Sequence, residues 1–174
     1  MNQVILESER LILRYQQVTD VPFLVELWAD EAVTRYMGGP RDKAWLQSVF
    51  EETAQDPLAE RYDLWPVVEK ASGQLVGHCG LLDKEVDGVL EIELNYIFHP
   101  SAWGKGYAVE IARALQDHAF QHLGLPRLIA LIDPENEASC RAALRSGMHL
   151  EKEVIRPGGA LKQVFVIENG ALRP

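Results

Sequence analysis

The stretch "VLEIELNYIFHPSAWGKGYAVEIARAL", Val89–Leu115, changes its period partway along. From Val89 to Phe98 the pattern alternates as on a β-strand, with Ile92, Leu94, Tyr96 and Phe98 on one face and Glu91, Glu93, Asn95 and Ile97 on the other. After Gly106 the apolar positions Ala108, Ile111, Ala112, Leu115, Ala119 and Leu123 fall at helical spacing, and Gly124 with Pro126 supplies a stop. Between the two elements stand Pro100, Gly104 and Gly106. Glycines at a strand-to-helix turn let the backbone approach a ligand, while the helix start adds unpaired N–H donors and a positive dipole end. "WGKGYA", Trp103–Ala108, therefore has two readings. It is an anion cradle built from the N–H groups of Gly104 through Ala108 with Lys105 as a cation, or a connection whose glycines only relieve strain.

Outward from this unit the elements follow closely. "RLILR", Arg10–Arg14, reads as a strand, and Thr19 as the N-cap of a helix "DVPFLVELWAD" with Pro22 in its first turn. "YMGGP" at Tyr36–Pro40 breaks the chain, and a second helix runs through Trp45 to Ala54. "LWPVVEKA", "QLVGHCGLLD" and "VLEIELNYIF" form an antiparallel meander across turns at Ser72-Gly73 and Asp87-Gly88. Past the central helix, "RLIALI" reads as a buried strand and "NEASCRAALRSG" as a helix ending at Gly147. Two closing strands flank the loop Pro157–Gly159. With one strand-helix-strand unit among hairpins, the class is α+β with a mostly antiparallel sheet. The chain carries no repeat or linker, so residues 1–174 are expected to form a single domain.

The 47% hydrophobic and 25% charged content is that of an ordinary globular domain and argues against disorder. A net charge of -9 disfavours nucleic acid as a partner and favours a cationic acceptor. The start "MNQVILESER" has no signal-peptide pattern, and no apolar run approaches a membrane span, so a cytoplasmic protein without membrane attachment is expected. Cys79 and Cys140 form no CxxC pair, which suits a reducing compartment. His118 and His122 share a helix face, but "HAFQH" lacks the HExxH glutamate and a third ligand, so no metal is expected.

Two nucleotide-binding alternatives fail on the residues. The third position of a G-x-G-x-x-G fingerprint is Val109, hairpins precede the turn, and the Walker pattern is absent. Three segments instead carry a family likeness: "ESERLILR" at Glu7–Arg14, "EIELNYIFHPSAWGKGYA" at Glu91–Ala108 and "NEASCRAALRSGM" at Asn136–Met148. In that order and spacing the chain resembles the GNAT superfamily of acyl-CoA N-acyltransferases, most closely its RimJ/RimL-like branch of ribosomal-protein N-terminal acetyltransferases. The resemblance implies a mixed, mostly antiparallel central sheet flanked by about four helices. That sheet is splayed between its fourth and fifth strands, here Leu90–Phe98 and Arg127–Ile132, with acetyl-CoA in the gap.

By the same resemblance, the pyrophosphate rests on the amides of Gly104, Lys105, Gly106, Tyr107 and Ala108, the pantetheine runs beside Ile97 and Phe98, and Asn136 contacts the cofactor arm. Asn136 also reads as a plain helix N-cap. Acetyl transfer to an amine needs a base, and Glu93 is the expected one, with Glu91 and Asn95 as substitutes. A solvated outer face is the other account of those polar residues. The tyrosine acid of many family members is replaced by Ala143, so Ser139 is the expected proton donor to the thiolate, ahead of Cys140 or water. Tyr36 and Trp28 are expected in the acceptor pocket near Arg35–Pro40. The expected reaction is direct transfer from acetyl-CoA to a primary amine, a protein N-terminus or a small molecule, by a monomer or homodimer. The alternative is a non-catalytic acyl-CoA-binding or regulatory module.

Overall fold

In the computed structural model, which describes residues 3–172, "RLILR" is the second arm of a hairpin: β1 (Val4–Glu7) pairs antiparallel with β2 (Leu11–Arg14). Residues 1, 2, 173 and 174 of the expected 1–174 domain lie outside the described residues. The strand β1 is four residues long and half exposed, so its pattern is too short to signal itself. Helix α1 (Val21–Ala29) is not capped by Thr19 as expected. Val18–Asp20 forms a 3₁₀ turn closed reciprocally by Gln17 and Asp20, because Asp20 turns inward to meet Arg14. A short α2 (Glu31–Thr34), capped by Asp30, separates α1 from the left-handed Gly38 and Gly39. Then α3 (Lys43–Gln55) begins on Asp42, whose side chain accepts from the Trp45 N–H.

The meander is β3 (Leu64–Glu69), β4 (Leu75–Val86) and β5 (Val89–Phe98). Asp87 and Gly88, at φ 50° and 78°, close the β4–β5 hairpin in the primed-turn geometry that strand twist requires. Helix α4 (Tyr107–Asp117) follows, and its last turn widens to i→i+5 bonding over His118–His122, where Leu123 N–H reaches the His118 carbonyl at 3.2 Å. Strand β6 (Arg127–Ile132) leads to α5 (Glu137–Arg145), which stops in a Schellman motif: Met148 N–H bonds the Ala143 carbonyl and Gly147 takes φ 98°. The hairpin β7 (His149–Ile155) and β8 (Leu161–Glu168) completes the sheet.

The sheet order is β1-β2-β3-β4-β5-β6-β8-β7, and every pairing is antiparallel except β5 with β6. The expected fourth and fifth strands are thus β5 and β6, renumbered by the extra β1. Their parallel contact has one registered pair, Glu93 opposite Ile129, beyond which the strands part toward their C-terminal ends. One face of the sheet, with Cys79, Leu81, Leu94 and Phe98, packs on Ile111, Ala112 and Leu115 of α4. Full burial of Ile111 and Leu115 contributes about 1.5–3 kcal/mol each. On the other face, His78 lies against Trp28 of α1 and Phe50 of α3. The alternation along β4 and β5 therefore fixes which side chains meet which helix layer.

Candidate active site

Where β5 and β6 part, a cleft of about 550 Å³ opens. It is lined by Glu93 to Phe98 of β5 and Ala130 to Asp133 at the end of β6. Gly104, Gly106, Tyr107 and Ala108 border it on the α4 side, with Asn136 and Ser139 of α5 beside them and Tyr36 and Met37 at the opposite end. The residues that line it belong to both faces of the sheet, so the gap connects the α4 layer with the α2 loop.

The glycine turn is held in shape from outside. Gly104 and Gly106 take φ 74° and 80°, a region that L side chains rarely enter, and a Cβ on Gly104 would meet open space. Gly106 is the N-cap of α4, whose first turn leaves N–H groups without intrahelical partners. Arg10 donates from Nη1 to the Lys105 carbonyl at 2.8 Å and from Nε to Glu110 Oε2 at 2.7 Å, while Ser8 Oγ donates to Glu110 Oε1 at 2.6 Å. The "ESER" segment is therefore the strap of the turn. On the same side Glu69 accepts from Ser72, Tyr107 and Lys105, and those three hydrogen bonds hold its carboxyl down at about 2. The Lys105 ammonium is consequently engaged by Glu69 at 3.1 Å, and Lys105 is not among the residues lining the cleft.

Glu93 is the most distinctive group here. It sits in the β5–β6 parting, 4% exposed, so the solvated-face account of this strand does not hold for it. Oε2 lies 3.5 Å from Lys84 Nζ and has no hydrogen-bond partner among the described residues. Burial pushes its carboxyl upward from the ordinary range, opposed by Lys84 and by a hydrogen bond from the Leu131 backbone N–H. Asn95, two residues along on the same face, has a buried Oδ1 that is likewise unpartnered among the described residues. Glu91 is bound instead to Arg127 at 2.9 Å.

Across the cleft, Asn136 caps α5 by accepting from the Ser139 N–H at 3.2 Å, and it also lines the cleft. Ser139 is half-buried there, and its carbonyl accepts from the Tyr96 hydroxyl at 3.4 Å. Tyr96, pushed up to about 12 by burial, brings a phenol to α5 beside the buried Ala143, whose helical N–H is directed at that same carbonyl. Reading the strand by faces places Tyr96 with Ile92, Leu94 and Phe98 and gives it no role in the site. Arg141 and Arg145 also line the cleft, although on the sequence they read as the polar face of an amphipathic helix. Cys140 turns toward the Asp133 carbonyl and Gln163, its thiol raised chiefly by burial. Tyr36 reaches the cleft, with its carbonyl held by Lys162 Nζ at 2.8 Å. Trp28 does not: its indole N–H donates to His78 Nδ1 at 3.0 Å behind the cleft. Among the described residues no cluster of three or more His, Cys, Asp or Glu is arranged to hold a metal, and no helix is long and apolar enough to cross a membrane.

Comparison with known proteins points one way. A family model described as an acetyltransferase (GNAT) domain matches residues 10–149. The uncharacterized protein YkkB of Bacillus subtilis (strain 168) is 32% identical over 150 residues, spanning 86% of this chain and 87% of its own. The crystal structure of an acetyltransferase (GNAT family) from Bacillus anthracis matches with a TM-score of 0.79 at 24% identity, covering 94% of this chain and 98% of that one. Spermidine N-acetyltransferase from Vibrio cholerae, solved in complex with CoA and spermine, matches with a TM-score of 0.74 at 18% identity over 92% and 96% of the two chains.

Proposed function

The chain belongs to the GNAT acetyltransferase family and is an N-acetyltransferase; from that premise we propose that residues 1–174, as a single domain, transfer acetyl directly from acetyl-CoA to a primary amine, on a small molecule or a protein N-terminus. The observation that carries this reading is the cleft running from the glycine turn through the parted β5 and β6 to the buried Glu93. Such a passage lets a cofactor enter from the α4 side and an amine from the α2 side.

The residues present fit acetyl-CoA. Gly104 and Gly106 carry no Cβ where a pyrophosphate approaches, and the free amides of the turn and of the first turn of α4 bind an anion within an otherwise acidic chain. Ile97 and Phe98 flank the pantetheine, and Asn136 contacts the arm with whatever capacity its cap leaves. When bound, acetyl-CoA supplies the thioester, whose C–S bond breaks as the amine nitrogen forms the C–N bond. Glu93 Oε2 removes the amine's proton, directly or through water, and the buried site strengthens its basicity. The Ser139 hydroxyl, beside the Tyr96 phenol, relays a proton from water to the leaving sulfur, so that the serine ends protonated. Tyr36 lines the acceptor end, whereas Trp28 is bonded to His78 and takes no part in the lining. The V. cholerae relative's complex with spermine supports amines in general as acceptors without selecting one.

The test is an acetyl-CoA turnover assay over spermidine, spermine, an aminoglycoside and short peptides with free N-termini, run with wild type and Glu93→Gln. Turnover on at least one amine is expected. It should fall about 10²–10⁴-fold in the variant while acetyl-CoA affinity holds. Acetyl-CoA binding without transfer to any amine in the panel would refute the reading.

A further inference from the structure

Glu93 is buried in the gap, yet its ionised form has one close cation, and that cation lies outside the cleft lining. Lys84 stands on β4 directly opposite Glu91, so it reaches Glu93 along the diagonal, Nζ to Oε2 3.5 Å. Among the described residues, and apart from Arg156, the neighbouring strands present apolar side chains or charges that are already paired. Leu82 faces Glu93 from β4 and Ile129 from β6, and β6 adds the Leu131 backbone N–H. Glu91 and Arg127 are tied to each other at 2.9 Å, with Arg127 also bound to Glu151. Asp133 at the end of β6 is held by Lys162 at 3.3 Å. Arg156, past the end of β7, acts at longer range, its guanidinium donating to the Glu85 carbonyl at 2.6 Å.

We propose that Lys84 is a positioning residue of the reaction: its ammonium, reaching across from the neighbouring strand, holds the Glu93 carboxylate as an anion aimed into the cleft and so sets the pH at which the acceptor amine can lose its proton. This rests on Glu93 as the base. An isolated carboxylate in a low-dielectric gap takes up a proton and can no longer accept one from the amine; a cation within 4 Å opposes that preference. Lys84 is itself about one-third exposed, whereas Glu93 is buried. Oε2, the oxygen nearest Lys84, has no hydrogen-bond partner among the described residues.

The experiment uses the full chain with ¹³C-labelled glutamate side chains, the Glu93 signal being assigned by its loss in Glu93→Gln. Its carboxyl titration is followed by NMR in wild type, Lys84→Met and Lys84→Arg, with kcat measured from pH 5 to 9 on spermidine or whichever panel amine turns over fastest. Lys84→Met should raise the Glu93 midpoint by one pH unit or more and move the acidic limb of kcat up with it, a tenfold loss on that limb with the high-pH plateau kept. Lys84→Arg should restore both to within a few tenths of a unit. A Glu93 midpoint unmoved in Lys84→Met overturns the proposal, even if that variant is less stable. A midpoint that moves while the limb of kcat stays put overturns Glu93 as the base rather than its coupling to Lys84.

Discussion

Asp20→Asn should cost this protein more stability than its size as a substitution suggests. Arg14 and Asp20 form a bidentate pair, Nη1 to Oδ2 and Nη2 to Oδ1 both 2.7 Å, with side chains 10% and 3% exposed. The Gln17 backbone N–H adds a third bond to Oδ2 at 2.8 Å. An amide at this position turns an NH₂ against one of those donors and leaves the guanidinium buried without a counter-charge. Breaking one side of such a pair costs about 3–5 kcal/mol. At ~2.1 cal/mol/K per residue, 174 residues unfold with an entropy of ~0.37 kcal/mol/K, so the melting temperature should drop by roughly 8–14 °C. Urea unfolding followed by circular dichroism, backed by a thermal scan, measures both figures. The double variant Arg14→Met/Asp20→Leu, which removes both charges, should recover more than half of the loss. A single Asp20→Asn variant that loses under about 1 kcal/mol would refute the argument that this pair anchors the start of α1 to β2.

Two further outcomes are expected. His78 is wholly buried between Trp28 and Phe50, and burial lowers its ring from 6.5 to about 4. Between those values the unfolded chain binds a proton that the folded one refuses, so folding stability falls on acidification through that window, by ~1.4 kcal/mol per pH unit. Urea titrations from pH 7 to 4.5 should show a shallower slope in His78→Gln, and equal slopes would contradict it. Gly106→Trp places a side chain at φ 80° with its Cβ 3.6 Å from Arg10 Nη2, at the mouth of the turn. Calorimetric titration of the folded variant should show acetyl-CoA affinity reduced more than about tenfold, and an unchanged affinity would remove the glycine turn from the cofactor site.

Much of this protein was legible in its sequence because local rules govern the parts concerned. The switch from period 2 to period 3.6 across "IFHPSAWGKGYAV" located β5, the turn and α4, and Asp87-Gly88 located a hairpin. Strand β1 and the start of α1 were misjudged. In β1 a four-residue edge carries too little pattern, and at α1 a tertiary partner, Arg14, drew Asp20 inward so that Thr19 never became the cap. The sequence also marked Glu93, Ser139, Asn136 and the glycine turn as candidates, and the structure lines one cleft with all of them.

Composition, periodicity and the three family segments by themselves determined an α+β acyltransferase fold with a glycine turn ahead of its central helix. Only the tertiary structure decided which groups around that turn are free. Lys105 and Lys84, alike as sequence letters, end with Glu69 outside the cleft and with Glu93 in the strand gap, respectively. Trp28 and Tyr36 part in the same way, one bonded to His78 outside the lining and one in the cleft. The reason is that a side chain's face follows from local periodicity, whereas its burial and its partners are set by the strand that pairs beside it, and β6 reaches β5 from more than thirty residues further along the chain.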